Sequence, residues 1–248
     1  MTDVRSPSAG HDDVFSKKIR EQWTEQLGRK LDILVAGCGR ASTSIFGDGN
    51  MDRFGSRVSG IDEDLPALRA YATKRDDLDS FTLGDLRNVP IPQRSYDVIF
   101  VDFLLDRIRN AELVLDRMAA GLRPGGLMLI RLRDRSSAYG FCDRMLPSWV
   151  RRMVWKGFVP AGTVGPLPAV YEPVSSREGI NAYCLMRGLM IAEDYTRTSG
   201  PACRGPRAGL VETVCGMVGK LSGGRLPAGH DEIILVVRKP QSHFARLI

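Results

Sequence analysis

The chain has 248 residues, 43% hydrophobic and 26% charged, the balance of an ordinary globular protein able to bury a core without disulfides or metals. Its formal net charge of +6 suits an acidic small molecule, nucleic acid or an anionic membrane surface as well as a plain soluble domain, and the cations are too dispersed for a polybasic tail. The five cysteines, Cys38, Cys142, Cys184, Cys203 and Cys215, form no C-x-x-C pair, which speaks against a zinc site or disulfide framework and for reduced thiols in a cytoplasm.

Residues 1–12 are polar, contain Pro7 and Gly10, and read as a disordered lead-in without the apolar stretch of a secretory signal. No apolar run is long enough to span a bilayer. Val14, Ile19, Trp23 and Leu27 recur at helical spacing, predicting a helix over 13–28 that Gly28 ends. Apolar runs then predict strands at 31–36, 57–61, 97–101, 127–132, 188–193 and 232–238, with a short one ending near Asp85. Helical patterns cover 64–75, 110–121 and 176–187. Strands alternating with helices argue for a largely parallel sheet covered on both faces. Residues 133–175 and 196–230 break this rhythm; each reads as a helix-containing insertion on one domain over 13–248.

Four segments carry chemistry. The strand at 31–36 runs into Gly37-Cys38-Gly39, where glycines permit a sharp turn and close approach of backbone to a ligand, before a helix whose N-terminal amides would face it. About twenty residues on, Asp62 ends the next strand with Glu63 beside it; an acid there accepts from ribose hydroxyls, or else caps the following helix. Gly84-Asp85-Leu86 ends the third strand, where a carboxylate and an amide can meet an adenine edge, or Asp85 is a turn residue. Pro124-Gly125-Gly126 reads as a structural turn before the fifth strand.

In this order Gly37-Cys38-Gly39, Gly60-Ile61-Asp62, Gly84-Asp85, Pro90-Ile91-Pro92, Ser95-Tyr96-Asp97 and Leu122 to Gly126 resemble the class I S-adenosylmethionine-dependent methyltransferases, over residues 31–132, and especially their small-molecule branch. The resemblance implies a Rossmann-like α/β fold with a seven-stranded, mostly parallel sheet, helices on both faces and an antiparallel last strand. It implies S-adenosyl-L-methionine as cofactor, with Gly37, Cys38 and Gly39 under its methionine part, Asp62 and Glu63 at the ribose, and Asp85 and Leu86 at the adenine. Val35 stands where the family has an acid, Ala41 where it has a third glycine, and Asp106-Arg107 where many relatives have a His-His pair. A dinucleotide oxidoreductase would need glycine at Ser42 and has no place for the 84–97 motifs.

Methyl transfer from a sulfonium requires alignment and exclusion of water, and a base only where the acceptor loses a proton. Asp102 and Asp106, past the fourth strand, are the carboxylates placed for that, and Asp102 also for the cofactor pocket. His11 and His243 lie in tails; His230 precedes the last strand. The 133–175 insertion, with Tyr139, Phe141, Trp149, Trp155, Phe158 and Tyr171, reads as an acceptor lid. Within it 147–158 forms an amphipathic helix with Trp149, Val150, Met153 and Val154 on one face, suited to packing on the core or to touching an anionic membrane. The motif used on exocyclic base amines is absent, which disfavours nucleic acid. The expectation is a methyltransferase acting on a secondary metabolite or a lipid- or sugar-linked compound; a non-catalytic S-adenosylmethionine-binding protein or accessory subunit is the alternative. No metal is expected.

Overall fold

Leu34, Ile99 and Met128 face one side of a sheet, and Ile33, Val98 and Leu127 the other, the two-residue alternation of extended chain. The computed structural model describes residues 11–39, 55–160 and 163–241. Its strands are β1 (Asp32–Ala36), β2 (Arg57–Asp62), β3 (Ser80–Leu83), β4 (Tyr96–Asp102), β5 (Leu122–Arg133), β6 (Met190–Arg197) and β7 (Glu232–Arg238). Among the described residues they form one seven-stranded sheet in the order β3-β2-β1-β4-β5-β7-β6. The first five strands in that order run parallel, and β7 enters antiparallel between β5 and β6. This is the expected Rossmann-like sheet with its last strand reversed.

The helices are α1 (His11–Glu25), α2 (Pro66–Ala72), α3 (Ala111–Gly121), α4 (Ala138–Met145), α5 (Ser148–Phe158), α6 (Arg177–Met186), α7 (Pro201–Arg204) and α8 (Ala208–Leu221). The central strands β1, β4, β5 and β7 are buried along most of their length because both faces are covered, whereas the edge strands β3 and β6 are largely exposed or half-buried. Phe15 and Ile19 of α1 join Val98 and Phe100 on one face, with the Phe15 ring edge-on to Phe100 at 5.3 Å between centroids. Val114 and Leu115 of α3 and Ile180 and Tyr183 of α6 cover the other. The start of α3 has no side-chain cap of its own. Glu172 supplies it from a distance, accepting from the amides of Asn110 at 2.7 Å and Ala111 at 2.8 Å, and its charge also suits the helix dipole.

Several boundaries differ from the sequence reading. The first helix begins at His11 and ends at Glu25, so only residues 1–10 of the lead-in remain, outside the described residues. The helix expected after the glycine turn falls mostly within 40–54, also outside them. The pattern over 64–75 yields only Pro66–Ala72, because proline lacks the amide and is tolerated only in a helix's first turn. Pro124-Gly125-Gly126 is not a separate turn: it lies inside β5, where the pairing with β4 shifts register between Tyr96 and Val98. Each insertion holds two helices instead of one. Asp97, from the motif around Tyr96, sits at the far end of the sheet from the glycine turn. It accepts from Arg29 at 2.6 Å, Arg123 at 2.6 Å and the Asp32 amide at 2.9 Å, tying β1, β4 and β5 together.

Candidate active site

Gly37, Asp62, Asp85 and Asp102 follow or end the parallel strands, so all four lie at the carboxyl edge where open α/β sheets bind ligands. Because β7 is antiparallel, its first residues return to the same edge. Gly37 has a φ of 98°, and a Cβ there would collide with the Asp102 carbonyl; one on Gly39 would press on Leu68 at 2.7 Å. Only glycine allows this turn to close against β4 and α2. Cys38 lies beneath it, its thiol pushed up to about 12 by burial, with Asp62 adding to the effect. It is a packing group against Gly60, not a nucleophile.

Asp62 is fully buried, and its carboxylate organises this half of the site. Its Oδ2 accepts from the Gly39 amide at 2.8 Å and its Oδ1 from the Glu63 amide at 2.7 Å. Arg107 donates through Nη2 to Asp62 Oδ1 at 2.5 Å and through Nη1 to Glu63 Oε2 at 3.0 Å. Its Nε donates to the Phe103 carbonyl at 3.2 Å. Burial works against the guanidinium charge, but Asp62 and Glu63 more than offset it and hold Arg107 above its ordinary value. Desolvation raises Glu63, with Arg107 opposing. Asp85 is exposed and set one strand further out; Arg87 bonds its carboxylate and brings it down to about 2. Leu86 is buried, and its carbonyl accepts from Arg117 at 2.7 Å.

Asp102 and Asp106, adjacent in the sequence argument, part company in space. Asp102 is 1% exposed, and its Oδ1 accepts from Arg131 Nε at 2.8 Å and lies 2.7 Å from Nη2. The guanidinium is sandwiched by the rings of Phe100 and Phe103, 5.3 Å and 5.1 Å away. Asp102 and Arg131 are register partners across β4 and β5, so this pair is sealed into the sheet and shields Asp102 from any acceptor. Asp106 instead lines a cavity of about 380 Å³.

That cavity is built by both insertions over the ends of β5 and β7. Val150, Trp155 and Phe158 of α5 and Val211, Val214 and Cys215 of α8 give it an apolar wall, while Asp106, Arg107, Arg133, Tyr171 and Asp231 form its polar side. Arg133 lies 3.3 Å from Asp231 and 3.9 Å from Asp106, over the ring of Phe103. Tyr171, raised by burial, donates its hydroxyl to Asp143 at 2.9 Å. Cys142, Cys203 and Cys215 also face the cavity; burial raises all three thiols, the last two to about 12. They remain protonated and form part of the apolar lining. Among the described residues no His, Cys, Asp and Glu group could hold a metal ion.

Tyr139, Trp155, Phe158 and Tyr171 line the cavity, whereas Trp149 is exposed. The face proposed for 147–158 therefore divides: Val150 turns to the cavity, Trp149 and Met153 to solvent, and the Val154 side chain lies outside the described residues. His230 bonds Asp134 at 2.9 Å and is not among the cavity-lining residues; the His11 side chain and His243 are outside the described residues. Arg107 joins the two halves of the site, touching Asp62 on one side and lining the cavity on the other. In the sequence Arg107 stands out only as part of the Asp106-Arg107 pair in place of two histidines, since its partner Asp62 is 45 residues away.

Beside this site, Glu232 is buried with Oε1 lacking a hydrogen-bond partner among the described residues. Desolvation pushes its carboxyl up to about 7, against the pull of Arg131. The folded protein thus keeps a proton that the unfolded chain releases above about 4.5, so stability falls as pH rises from about 4.5 to 7 and stays lowered above that. Glu232→Gln is expected to abolish this decline, measured as urea midpoints at about pH 5 and pH 8. Parallel pH dependence in variant and wild type would mean that Glu232 stays ionised.

A methyltransferase-domain family profile matches residues 34–130. The chain is 26% identical over 179 residues to a demethylmenaquinone methyltransferase of Paenarthrobacter aurescens, an alignment covering 69% of this chain and 62% of that one. It is 28% identical over 127 residues to a malonyl-[acyl-carrier protein] O-methyltransferase of Yersinia pestis, covering 50% and 44%. The chain thus spans less than two thirds of the length of either relative. An S-adenosylmethionine-dependent methyltransferase structure from Mesorhizobium loti superposes with a TM-score of 0.52 at 15% identity, covering 90% of this chain and 96% of that one. Phosphoethanolamine N-methyltransferase 2 of Haemonchus contortus, solved with S-adenosyl-L-methionine, gives 0.50 at 16% identity, covering 90% and 53%.

Proposed function

We propose that this chain, whose sheet has the fold of class I S-adenosylmethionine-dependent methyltransferases, transfers a methyl group from S-adenosylmethionine to a small, largely apolar molecule held in the cavity. One observation carries the reading: a glycine turn with a buried acid and a 380 Å³ apolar cavity stand side by side, separated by Arg107 and Asp106. The residues fit the cofactor. The backbone of Gly37, Cys38 and Gly39 would hold its methionine part, Asp62 and Glu63 the ribose, and Asp85 and Leu86 the adenine. Bound there, S-adenosylmethionine supplies a methyl group already activated on a positive sulfur.

The chain's own work is then alignment and dryness. The walls from α5 and α8 exclude water. The polar side, with Arg133 fixed by Asp231 and Tyr171 by Asp143, orients the acceptor. Asp106 takes a proton where the acceptor carries one, because it reaches the cavity and Asp102 does not. Relatives named for demethylmenaquinone and malonyl-[acyl-carrier protein] accord with a small-molecule acceptor. No helix among the described residues is long and apolar enough to cross a membrane, and the described cysteines are free thiols, consistent with a cytoplasmic setting. Both insertions belong to a single domain over 13–248, since they build the cavity together.

A second reading, a binding protein without turnover, draws on Asp106-Arg107 standing where many relatives carry a His-His pair and on Val35 standing where they carry an acid. Calorimetric titration with S-adenosylmethionine and S-adenosylhomocysteine tests the cofactor half; the expected result is binding at about micromolar Kd. Turnover with a candidate acceptor tests the other half, and Asp106→Asn is expected to lower kcat by about a hundredfold for an acceptor that loses a proton. Full turnover of that variant at saturating acceptor removes Asp106 as base. Binding of neither compound by folded protein overturns both readings.

A further inference from the structure

The outward face of the cavity wall remains without a role in the chemistry above. On α5, Trp149 and Met153 stand one turn apart and are 66% and 72% exposed. On α8, Leu210, Val214, Met217 and Leu221 follow the i, i+4, i+7, i+11 spacing of a single helix face, and Leu221 is 88% exposed. Large apolar groups concentrated on one surface mark a docking site more often than scattered ones do. Leu210 and Val214 are at once exposed and cavity-lining, so the cavity wall is continuous with the α8 stripe. The Arg207 guanidinium, just before α8, lies 5.2 Å over the ring of Phe158 at the end of α5, and both helices supply walls of the same cavity.

The exposed charges of these two segments are almost all of one sign. Arg152 and Lys156 on α5, with Arg204, Arg207, Lys220 and Arg225 around α8, are exposed cations, against Glu212 as the exposed acid of that segment. We propose that this face docks on an anionic bilayer surface, with Trp149, Met153, Met217 and Leu221 in the headgroup region, and that a lipid-soluble acceptor enters the cavity from the membrane. An apolar stripe flanked by Lys and Arg is the pattern of a helix lying in the interface, where buried area and attraction to acidic lipids add. A second copy would set cation against cation. An acidic carrier protein would satisfy the charges and leave the Trp, Met and Leu tips without apolar cover. The route of the acceptor rests on the methyltransferase reading; the docking itself does not.

The experiment is co-sedimentation of the full chain, without cofactor or acceptor, with vesicles of phosphatidylglycerol and phosphatidylcholine or of phosphatidylcholine alone. Binding is expected to the acidic vesicles, to weaken as salt is added, and to fall by about tenfold or more in Trp149→Ser/Met153→Ser and in Met217→Ser/Leu221→Ser. All four side chains are exposed, so the variants should fold, checked by their S-adenosylhomocysteine titration. No sedimentation with acidic vesicles at low salt overturns the proposal, as does binding unchanged in both double variants. Concentration-dependent dimerisation, or capture by an acidic acyl carrier protein without vesicle binding, assigns the face to those partners instead and also overturns it. Protein that binds S-adenosylhomocysteine and ignores vesicles loses the docking and keeps the methyltransferase reading.

Discussion

Arg131→Leu is expected to cost the fold about 3–5 kcal/mol, the penalty for leaving one partner of a buried ion pair uncompensated. Asp102 is 1% exposed and has Arg131 on its Oδ1, so removal of the guanidinium takes the sheet partner's countercharge from a buried carboxylate. In a chain of this length that loss lowers Tm by roughly 10 °C. The double variant Asp102→Leu/Arg131→Leu is expected to recover most of it, since two apolar groups leave no charge buried. Thermal unfolding of the three proteins checks this. Should Arg131→Leu melt within about 2 °C of wild type, the Asp102 carboxylate must be solvated or protonated, and its place among candidate bases reopens. The pair thus decides how a motif residue at the end of β4 is read: its surroundings make it a structural anion, and Asp106, four residues on, inherits the contact with the cavity.

Asp62→Ala is expected to weaken S-adenosylhomocysteine binding by tenfold or more, about 1.4 kcal/mol. The carboxylate anchors the Gly39 amide and, in the proposed function, accepts from the ribose hydroxyls, so both ligand and glycine turn would lose a partner. Arg107→Lys separates two roles of its neighbour. A carboxylate offers about four acceptor positions, and Asp62 already receives the Gly39 and Glu63 amides and Arg107. A ribose diol therefore competes with the guanidinium. Lysine keeps the countercharge but gives up the two-pronged grip, so affinity is expected to rise severalfold or hold steady. A tenfold loss in Arg107→Lys would show that the fork positions Asp62 and does not compete for it. Calorimetry reads both variants, and retained folding is verified by their thermal transitions.

Continuous apolar runs ending in Gly37, Asp62, Gly84-Asp85 and Asp102 were legible as strands of a covered parallel sheet, because strand and turn preferences act over a few neighbouring residues. The order of those signals carried the family resemblance, and that resemblance implied the seven-stranded sheet and its reversed last strand. The helix over 110–121 was legible to within one residue, although its start is completed by the distant Glu172; the limits at 64–75 were less legible, because Pro66 has to open that helix.

Contacts between residues far apart in the chain were decided only by the tertiary structure. The partner of Asp102 depends on the register of β4 against β5, and the partner of Asp62 on a loop 45 residues away. Whether Trp149 or Val150 faces inward depends on which side of α5 meets the rest of the cavity wall. Amphipathic spacing shows that a helix has faces but not what lies against each. The cavity itself draws on residues from Asp106 to Asp231, and no local pattern encodes a space enclosed by segments that meet only once the sheet has formed.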